Sequence, residues 1–401
     1  MDGAARFHVC RRPLLSDSTA TLMIDAPPSA NVPTRGVSSK RHYAALDGMR
    51  GLAILLVFFF HYGDLSHSPS GVLRFFGLIK DGGWMGVDLF FVLSGFLITG
   101  ILVDTRHHPG YFRKFYLRRA LRLFPVFYGV AALLLLLTPF FHLHWRPAQA
   151  WYLFYAANFV QLYDFSLSFV GPFKLMHLWS LALEEQFYFV WPLVVLLISD
   201  RRSLLKVAIG IAIFAPVLRI VLVTLHVPAL VIYYQLPTRM DGFAVGGVLA
   251  LLVRDRDLAV LAKPCKIIFP AGVCILVGLA MTRGTLRFTD PWMIQIGYST
   301  LAIMFGSMLI LALQSEGLVP RVFNWNVLRF FGLISYGFYV YHELIHNLTK
   351  PIYYTYVEHL HSPAIAGVLY TACVLAIVTA LSFVSYRYFE APFLRLKLKF
   401  Q

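Results

Sequence analysis

The chain has 401 residues, of which 58% are hydrophobic and 14% charged, and a formal net charge of +15. So apolar a composition excludes a soluble globular domain and points to a polytopic helical membrane protein. The basic residues cluster between apolar runs, as cytoplasmic membrane loops do, and this argues against a nucleic-acid-binding face.

Residues 1–42 are rich in Ser, Pro, Ala and Arg and lack a long apolar core, so they read as a disordered cytoplasmic tail rather than a signal peptide. Spanning helices are then expected near 45–63, 84–103, 119–141, 177–198 and 204–225, and again near 239–253, 267–282, 292–313, 327–349 and 363–387. The segment 239–253 is short for a span. Residues 150–163, AWYLFYAANFVQLY, are aromatic and too short to cross, and read as a re-entrant or interfacial helix on the outer side.

Four basic clusters set the direction: Arg106 to Arg122, Arg201 to Lys206, Arg254 to Lys266, and Arg395 with Lys397 and Lys399. Placing all of them inside gives ten spans and two cytoplasmic termini. The expected fold is therefore all-α, with an integral-membrane domain over 43–395 and a short tail over 396–401. The cysteines Cys10, Cys265, Cys274 and Cys373 have no metal-ligand spacing. His142 and His144 match a metal site only weakly, and no metal is expected.

Several apolar runs carry ionisable residues, which are costly in a membrane helix and mark work to be done. In the first run, Arg50 and His61 are eleven residues apart. That spacing puts them on one helix face with a rise of about 16 Å between them. Asp88 enters the second run at a depth similar to His61 and is expected to orient the imidazole, leaving one ring nitrogen as a base. Arg119 and Arg122 share a helix face near Arg50, and three guanidiniums at one mouth suit a phosphate-bearing ligand.

The fourth run holds His177, Ser180 and Glu184 on one face, with Glu185 beside them. Either carboxylate is a candidate for catalysis. Arg239 and Asp241 are read as substrate-binding, or as an ion pair at a helix entrance. Ser335, Tyr339 and His342 share a face of the ninth run and read as a polar, substrate-binding lining; Glu343 follows them, and Glu390 is expected to pair with basic side chains.

Together these segments resemble the acyltransferase type 3 family of membrane sugar O-acyltransferases. The matching stretches are LDGMRGLAILLVFFFHY, GVDLFFVLSGFLIT, RRALRLFP, HLWSLALEEQFYFVWP, TRMDGFAVGG, ISYGFYVYHE and YRYFEAPF, in family order from Ala45 to Leu394. The resemblance implies a ten-helix core and an acyl-CoA donor, most often acetyl-CoA. It also implies that Arg50 and His61 form the family's Arg-ten-residues-His motif and that Arg119 and Arg122 form its Arg-x-x-Arg motif.

Some members carry a fused esterase-like domain. None is seen in this sequence, so a hand-off is expected to end within the membrane domain or on a partner from a polysaccharide-assembly system. The expected activity is acyl transfer from cytoplasmic acyl-CoA to a carbohydrate hydroxyl, in a bacterial inner membrane. A proton-coupled exporter of a glycan or small molecule is the alternative; it should show inverted repeats, and none is evident.

Overall fold

The computed structural model describes residues 43–62, 80–357 and 363–396. The two expected tails, apart from Leu396, lie outside the described residues, as do Cys10, Lys397 and Lys399.

The chain is an all-α polytopic membrane protein. Its first half runs α1 (Ala44–His61), α2 (Gly86–Thr105), α3 (Tyr111–Phe141), α4 (Ala157–Tyr163), α5 (Leu178–Leu197), α6 (Arg201–Thr224) and α7 (Ala229–Tyr234). The second half runs α8 (Met240–Asp255), α9 (Leu258–Arg283), α10 (Tyr298–Ala312), α11 (Leu318–Phe323), α12 (Asn326–Leu344), α13 (His346–Ile352), α14 (Pro363–Ser385) and α15 (Ala391–Leu396).

Helices stand at all ten expected spans. Among the described residues, eight stretches are long and apolar enough to cross a membrane. The other two positions are α8, only 16 residues long, and α12, whose run is broken by polar side chains. Three boundaries differ from expectation, one of them that of α9, which begins at Leu258 and so carries Lys263 and Lys266. α3 begins at Tyr111, so Arg113, Lys114 and Arg118 ride on the helix ahead of Arg119 and Arg122 instead of in a loop. The ninth run ends at Leu344 and restarts as the separate helix α13. Aromatic residues 150–163 form a 3-10 turn (Pro147–Phe154) and then α4, neither long enough to span. A hairpin of β1 (Phe169–Val170) and β2 (Phe173–Lys174) follows, which the sequence reading did not anticipate.

Two close helix crossings build the core. α1 packs chiefly on α12, and α2 on α8. A methyl group at Gly51 would lie 1.9 Å from the Leu328 carbonyl oxygen, and one at Gly332 would lie 1.8 Å from that of Asp47. At the second crossing, Gly95 would meet the Phe243 oxygen at 2.0 Å and Gly246 that of Val92 at 2.2 Å. Glycine lets these backbones touch where apolar side chains alone give lipid-embedded helices little reason to associate. The α1–α12 crossing brings His61 against the end of α12, and the α2–α8 crossing turns Asp88 toward α8.

Candidate active site

His61 is the last residue of α1. Its Nδ1 lies 2.8 Å from the Val57 carbonyl oxygen. A carbonyl only accepts, so Nδ1 carries the hydrogen and the neutral ring presents a lone pair at Nε2. That nitrogen lies 3.5 Å from Glu343 Oε1, on α12.

Glu343 is fully buried and is the centre of the cluster. Lys174 Nζ lies 2.5 Å from Oε1, and His177 Nδ1 lies 3.1 Å from Oε2. His342 directs Nδ1 to the Tyr339 carbonyl at 2.6 Å, which leaves its buried Nε2 without a hydrogen-bond partner. Its ring centre is 5.0 Å from that of His61 and 5.3 Å from that of His177. His61, His342 and Glu343 offer donor atoms all within 4.8 Å of one another, close enough for a metal ion. Oε1, however, is already held by the Lys174 ammonium, and a cation there would have to displace it. This donor set handles protons better than metal.

A narrow cavity of about 80 Å³ approaches this cluster from the Arg50 end of α1. Arg50, Arg119 and Arg122 line it, with Ser94, Glu184 and Tyr188. Arg50 is steadied by Asp47 at 2.9 Å, and Arg119 lies over the Tyr188 ring at 5.3 Å. Glu184 accepts from Ser94 Oγ at 3.0 Å and from the Tyr188 hydroxyl at 3.2 Å. The neighbouring Glu185 is not among the lining residues; its Oε1 is buried without a hydrogen-bond partner. Spacing left open which of the two faces the cavity, and the structure turns Glu184 to it. Ser335, Ser180 and Tyr339 also line the cavity. The last two stand 2.5 Å apart, and the Tyr339 hydroxyl donates to the His177 carbonyl at 2.9 Å. The cavity thus ends on the wall of the histidine cluster.

Asp88 does not meet His61. It pairs with Arg239 at 2.7 Å, while Asp241 pairs with Arg219 at 2.7 Å. The expected Arg239–Asp241 pair is therefore split between two other partners. Arg239 also lies over the Tyr298 ring at 4.0 Å, and Ser299 Oγ bridges Arg219 and Asp241. The cause is the tight α2–α8 contact, which faces Asp88 away from α1. The carboxylate beside His61 is Glu343, and the Val57 carbonyl does the orienting expected of Asp88. Glu390 has Ser385 Oγ as its hydrogen-bond partner, at 3.4 Å. Glu343 was visible beside His342 in the ninth run, but nothing in the spacing tied it to His61. Lys174 gave no signal at all, since a loop lysine is ordinarily solvated.

A family model described as an acyltransferase domain matches residues 43–387. This chain belongs to that family. Among its curated relatives, the peptidoglycan O-acetyltransferase OatA of Listeria monocytogenes is 28% identical over 372 residues, covering 88% of this chain and 56% of the relative. The O-acetyltransferase OatA of Staphylococcus aureus is 25% identical over 375 residues, covering 88% and 57%. The chain spans little more than half the length of these relatives. No solved structure matches. All the elements that build the candidate site, from Arg50 on α1 to Glu343 on α12, fall inside the matched region.

Proposed function

We propose that this acyltransferase moves an acyl group, most simply acetyl, from cytoplasmic acyl-CoA to a hydroxyl of a carbohydrate in the bacterial cell envelope. The observation that carries the reading is one helix with its two ends in two different sites. Arg50 lies in a cavity of guanidiniums, and His61 lies in a cluster of histidines around one buried carboxylate. The roughly 16 Å of helix between them is of the order of a pantetheine arm.

Arg50, Arg119 and Arg122 would hold the coenzyme phosphates through charge-assisted forks. The arm would run past Glu184 and the Ser180–Tyr339 pair to bring the thioester carbonyl to His61. There Nε2 takes the proton of the acceptor hydroxyl as its oxygen attacks the thioester carbon. The carbon–sulfur bond breaks as the tetrahedral intermediate collapses, and the coenzyme thiolate receives the proton from the imidazolium. Glu343, 3.5 Å from Nε2, stabilises that imidazolium while it exists. His177 and His342 would complete the acceptor side, where a sugar hydroxyl finds donors and acceptors. The named activities of the relatives favour a cell-wall glycan as acceptor, delivered with or without assembly partners.

The test uses purified protein in lipid nanodiscs with radiolabelled acetyl-CoA and cell-wall glycan fragments. Wild type should release coenzyme A and label the glycan, and His61→Ala should do neither. Equal turnover by the two proteins would overturn the assignment of His61.

A further inference from the structure

The hairpin that carries Lys174 has no counterpart in the expected fold, and its lysine reaches the most deeply buried carboxylate of the site. Its backbone is fastened on both sides. The buried Gln149 donates through Nε2 to the carbonyls of Leu167 and Phe169 at 3.1 and 3.0 Å. Gln161, also buried, donates to the Met176 carbonyl at 2.9 Å. The Leu175 amide donates to the Ser168 carbonyl at 2.7 Å, which closes the hairpin behind Phe169 and Lys174, partners across the strands. Gly171 makes the turn at φ +57°. A surface lysine needs no such mounting.

Charge accounting says what it is mounted for. A carboxylate buried as Glu343 is must have a compensating positive charge. Among the described residues, Lys174 lies within reach of its oxygens, as do His61 and His177, which are cations only when protonated. A charge carried on His61 would put a proton on Nε2, the nitrogen that has to accept one. Lys174 carries a charge without closing that lone pair.

We propose that Lys174 is a positioning residue for acyl transfer: from the hairpin it supplies the standing positive charge that keeps Glu343 ionised while His61 stays neutral. This rests on the acyl-transfer reading above. The lysine touches neither donor nor acceptor. It acts through Glu343, and its removal leaves the carboxylate to draw a proton onto His177 or onto His61, where the reaction needs a lone pair.

The experiment measures His61-dependent transfer from labelled acetyl-CoA in nanodiscs for Lys174→Ala, Lys174→Met and Lys174→Arg, with thermal unfolding of each. Lys174→Ala and Lys174→Met should lower kcat by about tenfold or more, the scale of a lost charge-assisted contact, with the KM for acetyl-CoA little changed. Lys174→Arg should keep most of the rate. Propylammonium, which replaces the deleted arm, should restore Lys174→Ala in a saturable way. It should not restore Lys174→Met, whose own side chain fills the space, or Glu343→Gln, which has no charge left to balance.

Wild-type rates in Lys174→Ala would overturn the role. So would an Arg variant as slow as Ala with no ammonium rescue, since that pattern marks a merely structural lysine. If wild type and His61→Ala turn over alike, the acyl-transfer reading itself fails, and that result is separate from any result at Lys174.

Discussion

Two groups of buried ionisable side chains stand inside this bundle, and they are built on different terms. Around α8, Asp88 faces Arg239 and Asp241 faces Arg219, each at 2.7 Å, with the Arg239 guanidinium against aromatic rings. Around the end of α12, one carboxylate is shared by a lysine and two histidines, a third histidine leaves its Nε2 unpartnered, and a cavity ends on the cluster's wall. In the first group each carboxylate has a guanidinium of its own, and these pairs hold helices in register. In the second, imidazoles share one carboxylate with a lysine, and an imidazole nitrogen with an open lone pair can take up a proton. Burial of charge in a membrane protein therefore does not by itself mark chemistry. An imidazole nitrogen left open beside the carboxylate does.

The sharpest way to break this contrast is to disable each group in turn. His61→Ala should lower transfer by about 10² to 10⁴-fold, the range for a lost acid–base group, while leaving thermal unfolding close to wild type, and Glu343→Gln should lower transfer as far. Arg239→Leu should do the reverse in kind. It leaves Asp88 buried without its guanidinium and should destabilise the fold by about 3–5 kcal/mol, seen as lost yield and a lower unfolding temperature. Removing both partners, with Asp88→Leu added, should recover much of that stability. If Arg239→Leu instead folds normally and only slows transfer, the α8 group belongs to the active site after all.

A smaller effect is expected at the arginine cavity. Arg50→Ala, Arg119→Ala and Arg122→Ala should each weaken donor binding by about 1.5–3 kcal/mol, the value of a hydrogen bond to a charged group, and raise KM more than they lower kcat. Binding of coenzyme A by calorimetry checks this without turnover.

The smallest effect belongs to the exposed Asp164, beside Arg146. Hydrogen bonds from the Ser166 hydroxyl and amide, together with the Arg146 guanidinium, hold its carboxyl below the usual range. A carboxyl depressed in the folded state adds stability that is present above the ordinary carboxylate range and lost as pH falls through the folded value. Protection factors for hydrogen exchange over residues 147–168, corrected for the intrinsic pH dependence of exchange, should therefore fall in acid, and Asp164→Asn should make them insensitive to pH over that window.

The class of molecule, the places of the ten expected spans and the pairing of Arg50 with His61 along one of them were legible in the residues alone. These depend on hydropathy and on the 100° helical repeat, which act within one segment and can be read there. The family could be read for the same reason, since its motifs are short and local. Only the tertiary structure decided which carboxylate meets His61. Asp88 and Glu343 are equally plausible by depth, and the choice lies with two glycine crossings whose partners are far apart in the chain. Glu184 and Glu185 could not be told apart for a similar reason: adjacent helical residues differ by 100°, and what each faces depends on the helices around it. Lys174 was out of reach altogether. Its burial comes from a hairpin held by Gln149 and Gln161, and no period in the sequence records a contact made by a loop.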